Sequence, residues 1–175
     1  MAIQRGFMGL AIASIVVVGI VFLGSVPGAS AETLKSKVVL TMTTDKSIPV
    51  SDQEGHVLGV QVLEGLALFD NGEIAKTKAE VVYDRVAATT MQAIGYNFWI
   101  FEDGSTIVGR FQRLAVVDAS GNVSYKTSTE LIKGTGRYAG IKGSASSTGK
   151  NFPPGKDEAP KVFNDVTMTY TLPGK

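Results

Sequence analysis

The feature that most constrains this chain is a period of two in its apolar residues, interrupted at short intervals by turn chemistry. Residues 57–69 and 76–88 are two Val-rich runs parted by Asp70-Asn71-Gly72-Glu73, and Asn-Gly between apolar runs is a strong hairpin signal. The same grammar repeats downstream. Segment 92–101 carries Tyr96, Phe98, Trp99 and Phe101 and closes at Glu102-Asp103-Gly104, 105–117 closes at 118–122, and 123–133 follows. Adding 37–44 at the start, 141–147, and an alternating final run over 162–172 predicts eight strands and no helix after residue 31. Hairpin-linked strands in this number suggest an up-and-down antiparallel barrel or a sandwich, and of the two the barrel leaves no unpaired edge. Its interior is either filled by side chains or holds one small ligand. The expectation is therefore an all-β, eight-stranded antiparallel β-barrel spanning residues 32–175.

Residues 1–31 do not fit this pattern. After Arg5 no charge occurs before Glu32, and a long run of Ala, Ile, Val, Leu, Gly and Met ends at Pro27 and Ala29-Ser30-Ala31. A positive start, an apolar middle and small residues at 29 and 31 read as a cleaved secretory signal peptide, with an uncleaved membrane anchor as the alternative. The protein is expected to be exported, periplasmic or secreted. Without cysteine it can form no disulfide, thiolate nucleophile, lipidated N-terminus or cysteine–zinc site, so the barrel must stand on its core. The 17 basic and 16 acidic residues leave a formal charge of +1, which gives no electrostatic reason to expect nucleic acid as a partner.

Two irregular stretches break the strand grammar. Residues 45–55 and 148–160 are rich in Pro, Gly and Ser and read as long loops at a barrel mouth, places where function often sits. The other unusual stretch is Lys133-Gly134-Thr135-Gly136-Arg137-Tyr138-Ala139-Gly140-Ile141-Lys142-Gly143. Glycines 134, 136, 140 and 143 around one aromatic mark a sharp return of the backbone, with Tyr138 expected to plug into the barrel.

Gly134-Thr135-Gly136-Arg137-Tyr138, with Gly140 and Gly143, resembles the Gly-Thr-Gly-basic-aromatic signature of the allene oxide cyclase and dirigent proteins. Asn97-Phe98 and Gly104-Ser105-Thr106-Ile107 also sit where dirigent-type sequences carry similar residues. The resemblance covers residues 96–144. It implies an eight-stranded barrel, often trimeric, with an apolar cavity. In the plant members that cavity binds a reactive fatty-acid epoxide or guides coupling of phenolic radicals, without metal or organic cofactor. The first strand departs from the cyclases: where they keep a key acidic residue, this chain has Lys35, Lys37 and apolar residues.

Among polar residues, Glu64 interrupts the second strand on the face of Val60, Val62, Leu66 and Leu68. A carboxylate on an apolar face is costly unless paired, which makes it a candidate for acid–base work with Arg85 or Tyr83. Tyr83 and Arg85 share a face, as do Asn97 and Trp99. If these faces point inward, Glu64, Tyr83, Arg85, Asn97 and Trp99 make an apolar pocket with a few polar handles, the usual composition of a small-molecule site. The alternative is that the Glu64 face points outward. Arg110 and Arg113 lie on opposite faces, so only one can look inward. His56, the single histidine, is expected at the surface, and no metal-ligand spacing occurs. Asn122-Val123-Ser124 fits a glycosylation sequon in an exposed turn.

Strand four is apolar on both faces, and strand two nearly so. A doubly apolar wall calls for a cover or a subunit contact, so a homo-oligomer, trimer or dimer, is expected. The functional expectation is an exported barrel that binds a small apolar molecule in its lumen, with no cofactor. A cofactor-free isomerase or cyclase, or a dirigent-like guide, is the alternative, and a structural oligomer the third reading.

Overall fold

A computed structural model describes residues 30–174 apart from 88, 121, 153, 154 and 157. The expected signal peptide lies outside the described residues, save Ser30 and Ala31. Eight antiparallel strands close into a barrel in sequence order: β1 (Glu32–Pro49), β2 (Val57–Phe69), β3 (Ile74–Ala87), β4 (Thr90–Phe101), β5 (Thr106–Val117), β6 (Val123–Gly134), β7 (Lys142–Phe152) and β8 (Lys161–Thr171). β1 pairs with β8 from Glu32↔Tyr170 to Thr41↔Lys161, so no edge is left open. The one helical piece among the described residues is a 3-10 turn, Gly136–Tyr138.

Two strands are longer than the loop-like composition suggests. β1 continues through residues 45–49, because β2 supplies a partner for each of them (Asp45↔Gln61 to Pro49↔Val57). Its proline is the last residue, where the missing N–H costs least. β7 likewise runs on to Phe152, paired with β8 up to Phe152↔Lys161. Ladder hydrogen bonds outweigh weak intrinsic strand preference here.

Even-numbered residues of β1 and β8 and odd-numbered residues of β2 to β7 face inward. Two bulges modify this alternation. Thr43 is unpaired between Met42↔Leu63 and Thr44↔Val62, and Ile132 is the extra residue between Val108↔Lys133 and Gly109↔Leu131. Beyond the first bulge the inward set switches to odd numbers, which turns Asp45 and Ser47 toward the mouth of the barrel.

The interior is packed in three zones. At one end the rings of Phe69, Phe101, Tyr138 and Tyr170 form a continuous chain, with centroids 5.3, 4.8 and 6.0 Å apart in succession. Leu63, Ile107, Phe111 and Met168, each 1% exposed or less, pack between the two ends. At the opposite mouth stand Tyr83, Tyr125 and the residues around His56.

The glycine cluster accounts for the plug at the aromatic end. Gly136 has φ +59°, and a Cβ there would sit 2.3 Å from the Ser105 hydroxyl oxygen, so only glycine fits. That close approach lets Ser105 Oγ accept the Arg137 backbone N–H at 3.1 Å and donate to Asp103 Oδ2 at 2.9 Å. The 3-10 turn so fixed drops Tyr138 into the barrel as expected, and Arg137 stacks over Phe101 and Tyr138 at 4.9 Å from each ring.

Candidate functional site

The expected constellation does not assemble in one place. Glu64 pairs across the ladder with Thr41 and Lys78 on the outer face and is exposed, because β2 turns its odd residues inward. It therefore cannot face Tyr83 across the lumen. Tyr83 is buried at the mouth and donates its hydroxyl to Asp45 Oδ1 at 3.1 Å. Burial pushes the phenol of Tyr83 above its ordinary range, while a hydrogen bond with Ser47 and, less, the charge of the exposed Arg85 pull it back. Asn97 and Trp99 do point inward, at the middle of the barrel and away from that mouth.

The lumen is almost full. Its cavity, beside Trp99 and Asn97, measures about 20 Å³, room for about one water. Trp99 is 3% exposed, and its indole N–H has no hydrogen-bond partner. Arg113 also lines this cavity; it is the inward member of the Arg110/Arg113 pair. Its Nε donates to Thr127 Oγ1 at 3.1 Å, and the guanidinium lies 5.0 Å from the Phe111 ring centroid and 4.6 Å from that of Tyr125. Burial draws its pKa down. Burial likewise pushes Tyr125 up to about 12, against the pull of Arg113. Gly149 makes room for Tyr125, since a Cβ there would meet the ring at 2.4 Å.

A groove of about 830 Å³ lies on the outer wall, over β2 to β6. Its floor is a cross-strand row, Val60↔Val82↔Ile94, with Tyr96 beside it. Ile94 is 60% exposed. Gln112 and the Arg110–Glu130 ion pair, 2.7 Å between Nη2 and Oε2, supply polar handles at its side. Such a volume, apolar with a few polar groups, matches the composition of small-molecule sites.

Comparison with known proteins yields fold-level neighbours alone. The chain is similar to the pterocarpan synthase dirigent protein GePTS1, with 11% identity over 82% of this chain and 90% of that one, at a TM-score of 0.45. It is similar also to the pterocarpan synthase dirigent protein PsPTS1, with 13% identity, 83% and 97% coverage, and a TM-score of 0.43. No protein-family model matches the sequence. No curated protein matches it either.

Three features of the site escape a reading by residue type. His56 is nearly buried, not at the surface: its Nδ1 lies 2.6 Å from Asp52 Oδ1 and its Nε2 2.9 Å from Asp84 Oδ1. The hydrogen bond to Asp52 raises its pKa and, in return, lowers that of Asp52. Asp45 reaches Tyr83 through the Thr43 bulge, which no pattern in the sequence announces. The outer groove was visible only as a wall apolar on both faces. Among the described residues, no three His, Cys, Asp or Glu side chains come together as a metal site.

Proposed function

We propose that this chain is an exported binding barrel, periplasmic or secreted, that takes up one apolar small molecule in the groove on its β2–β6 wall. The observation that carries this reading is the disparity between the two cavities: about 830 Å³ outside against about 20 Å³ in the lumen. A molecule of drug-like size needs a few hundred Å³, which the groove offers and the lumen does not. Burial of the Val60, Val82, Ile94 and Tyr96 side chains would supply the affinity, and the Arg110–Glu130 pair with Gln112 would orient a polar end of the ligand. The test is titration with 1-anilinonaphthalene-8-sulfonate. The wild type should bind it with enhanced fluorescence, and Ile94→Glu should lose most of the signal while keeping its fold. Equal signal from both proteins removes the groove as the site.

A second reading has its own support. The exposed apolar surface runs past the groove onto Leu66, Leu68, Ile74 and Ile100, further than one small ligand covers. A second copy of the chain would bury it, giving the dimer or trimer expected from the sequence. Light scattering after leader removal separates the two: a clean monomer that still binds the dye leaves the ligand reading alone. For a dirigent-like or cyclase role, Asp45 beside Tyr83 is a better acidic candidate than Glu64, which lies outside the barrel.

A further inference from the structure

We propose that the interior cavity is a site for one monovalent anion of halide size, held by the guanidinium of Arg113 and the indole N–H of Trp99. The cavity lies inside the barrel, apart from the outer groove, and the two assignments stand or fall separately.

Charge is the first argument. Arg113 places a fixed positive charge within the barrel, and among the described residues no carboxylate pairs with it. Arg110 pairs with Glu130, and Arg137 with Glu73 and Asp103. What Arg113 has instead is one hydroxyl, Thr127 Oγ1, and two aromatic faces. A buried charge left without a counter-charge is unfavourable, and a guanidinium carries five N–H donors, of which this bond uses one. Hydrogen-bond accounting is the second argument. Trp99 Nε1 is a donor only, buried, and without a partner, and Trp99 lines the same cavity as Arg113. Two donor-only groups, one of them charged, call for an occupant that accepts and is negative. Asn97, Thr77 and Thr129 also line it, beside apolar Val38, Leu40, Ala145 and Val166, and can each turn a donor inward.

Size is the third argument. About 20 Å³ admits one particle of water or halide dimensions and excludes sulfate, phosphate or any organic acid. A water molecule could accept from Arg113 and Trp99, but it would leave the charge uncompensated. The site should thus discriminate chloride and bromide from sulfate.

The experiment uses the full chain and bromide as probe. Crystals grown in sodium bromide, measured at the bromine absorption edge, should show an anomalous peak within hydrogen-bond reach of Arg113 and Trp99 Nε1. In solution, melting temperature is followed as bromide replaces sulfate at constant ionic strength. The wild type should gain a saturable stabilisation that Arg113→Met lacks. Trp99→Phe, which keeps the ring and loses the N–H, should raise the half-saturating bromide by about tenfold, the worth of one hydrogen bond to a charged group. If Arg113→Met fails to fold, the Trp99→Phe shift decides. No bromine peak in the cavity, or a bromide response identical in wild type and Trp99→Phe, overturns the proposal.

Discussion

The imidazole Nε2 of His56 lies 2.9 Å from Oδ1 of Asp84, tying the entry of β2 to the far end of β3. The other ring nitrogen is 2.6 Å from Asp52, within the 50–56 connection. One side chain therefore clamps the loop and the strand pair at the open mouth of the barrel. In the imidazolium form both nitrogens donate, and both carboxylates then carry full opposite charge.

The clamp predicts a stability profile with two sides. The pKa of His56 is raised above 6.5, chiefly by the hydrogen bond to Asp52, so its contribution is fully present below about 6.5 and is lost as pH rises through the folded value. The pKa of Asp52 is lowered from 3.8 by the same bond, so its contribution is present above about 3.8 and is lost as pH falls through the folded value. The melting-temperature difference between wild type and His56→Gln should therefore peak between these limits and shrink toward both pH 3 and pH 8. A difference that is flat across that range would sink the assignment.

The barrel itself was legible, and the reason is physical. Asn71-Gly72 and the 102–104 turn fix hairpins locally, and eight runs with a period of two leave few ways to satisfy strand edges. Tyr138 was placed correctly because four glycines around one aromatic leave little else for that backbone to do. Which face looks inward was not legible. β2 and β4 are apolar on both sides, so hydrophobicity could not choose between Glu64 outside and Glu64 inside. Bulges at Thr43 and Ile132 add to the difficulty, because one extra residue moves every later side chain to the other face. His56 finds Asp84 at 28 residues' separation, a distance across which residue type carries no information.

Tyr125 offers a test of the interior's low polarity. Burial pushes its pKa to about 12 from 10.0. A group with a raised folded pKa stabilises the fold below its unfolded value and loses that contribution as pH climbs through the folded one. Ultraviolet titration near 295 nm should show a tyrosinate component, absent in Tyr125→Phe, that appears near pH 12. The Tyr125→Phe variant should also be less alkali-sensitive than wild type between about pH 10 and 12. Ionisation of Tyr125 near pH 10 would mean that water reaches it freely.

Gly136→Ala should be costly for a surface-near turn. The left-handed backbone alone disfavours alanine by about 1–2 kcal/mol, and a Cβ 2.3 Å from Ser105 Oγ forces that hydroxyl away from the Arg137 N–H. A urea midpoint reduced by the equivalent of about 2 kcal/mol or more is expected. Combining it with Ser105→Ala should cost less than the two changes summed, since the clashing atom is then gone. Strict additivity would show that the contact is not the cause.

Deleting Thr43 tests the bulge. Met42 faces in and pairs with Leu63, while Thr44 faces out and pairs with Val62. Joining Met42 directly to Thr44 restores plain alternation, so Asp45 keeps its inward place beside Tyr83. The loss is one exposed hydrogen bond, Thr43 Oγ1 to the Val62 carbonyl at 3.2 Å, and pairing of β1 with β8 has already ended at Thr41. The deletion should change stability by no more than about 1 kcal/mol. Deleting Lys37 is the contrasting case: no bulge lies beside it, so either Leu34 or Val38 and Leu40 must turn to solvent, at a cost above about 3 kcal/mol. Urea unfolding of the two single-residue deletions decides the matter. If removing Thr43 is as damaging as removing Lys37, the extra residue is shaping the mouth through its own contacts, and the slack assigned to it is absent.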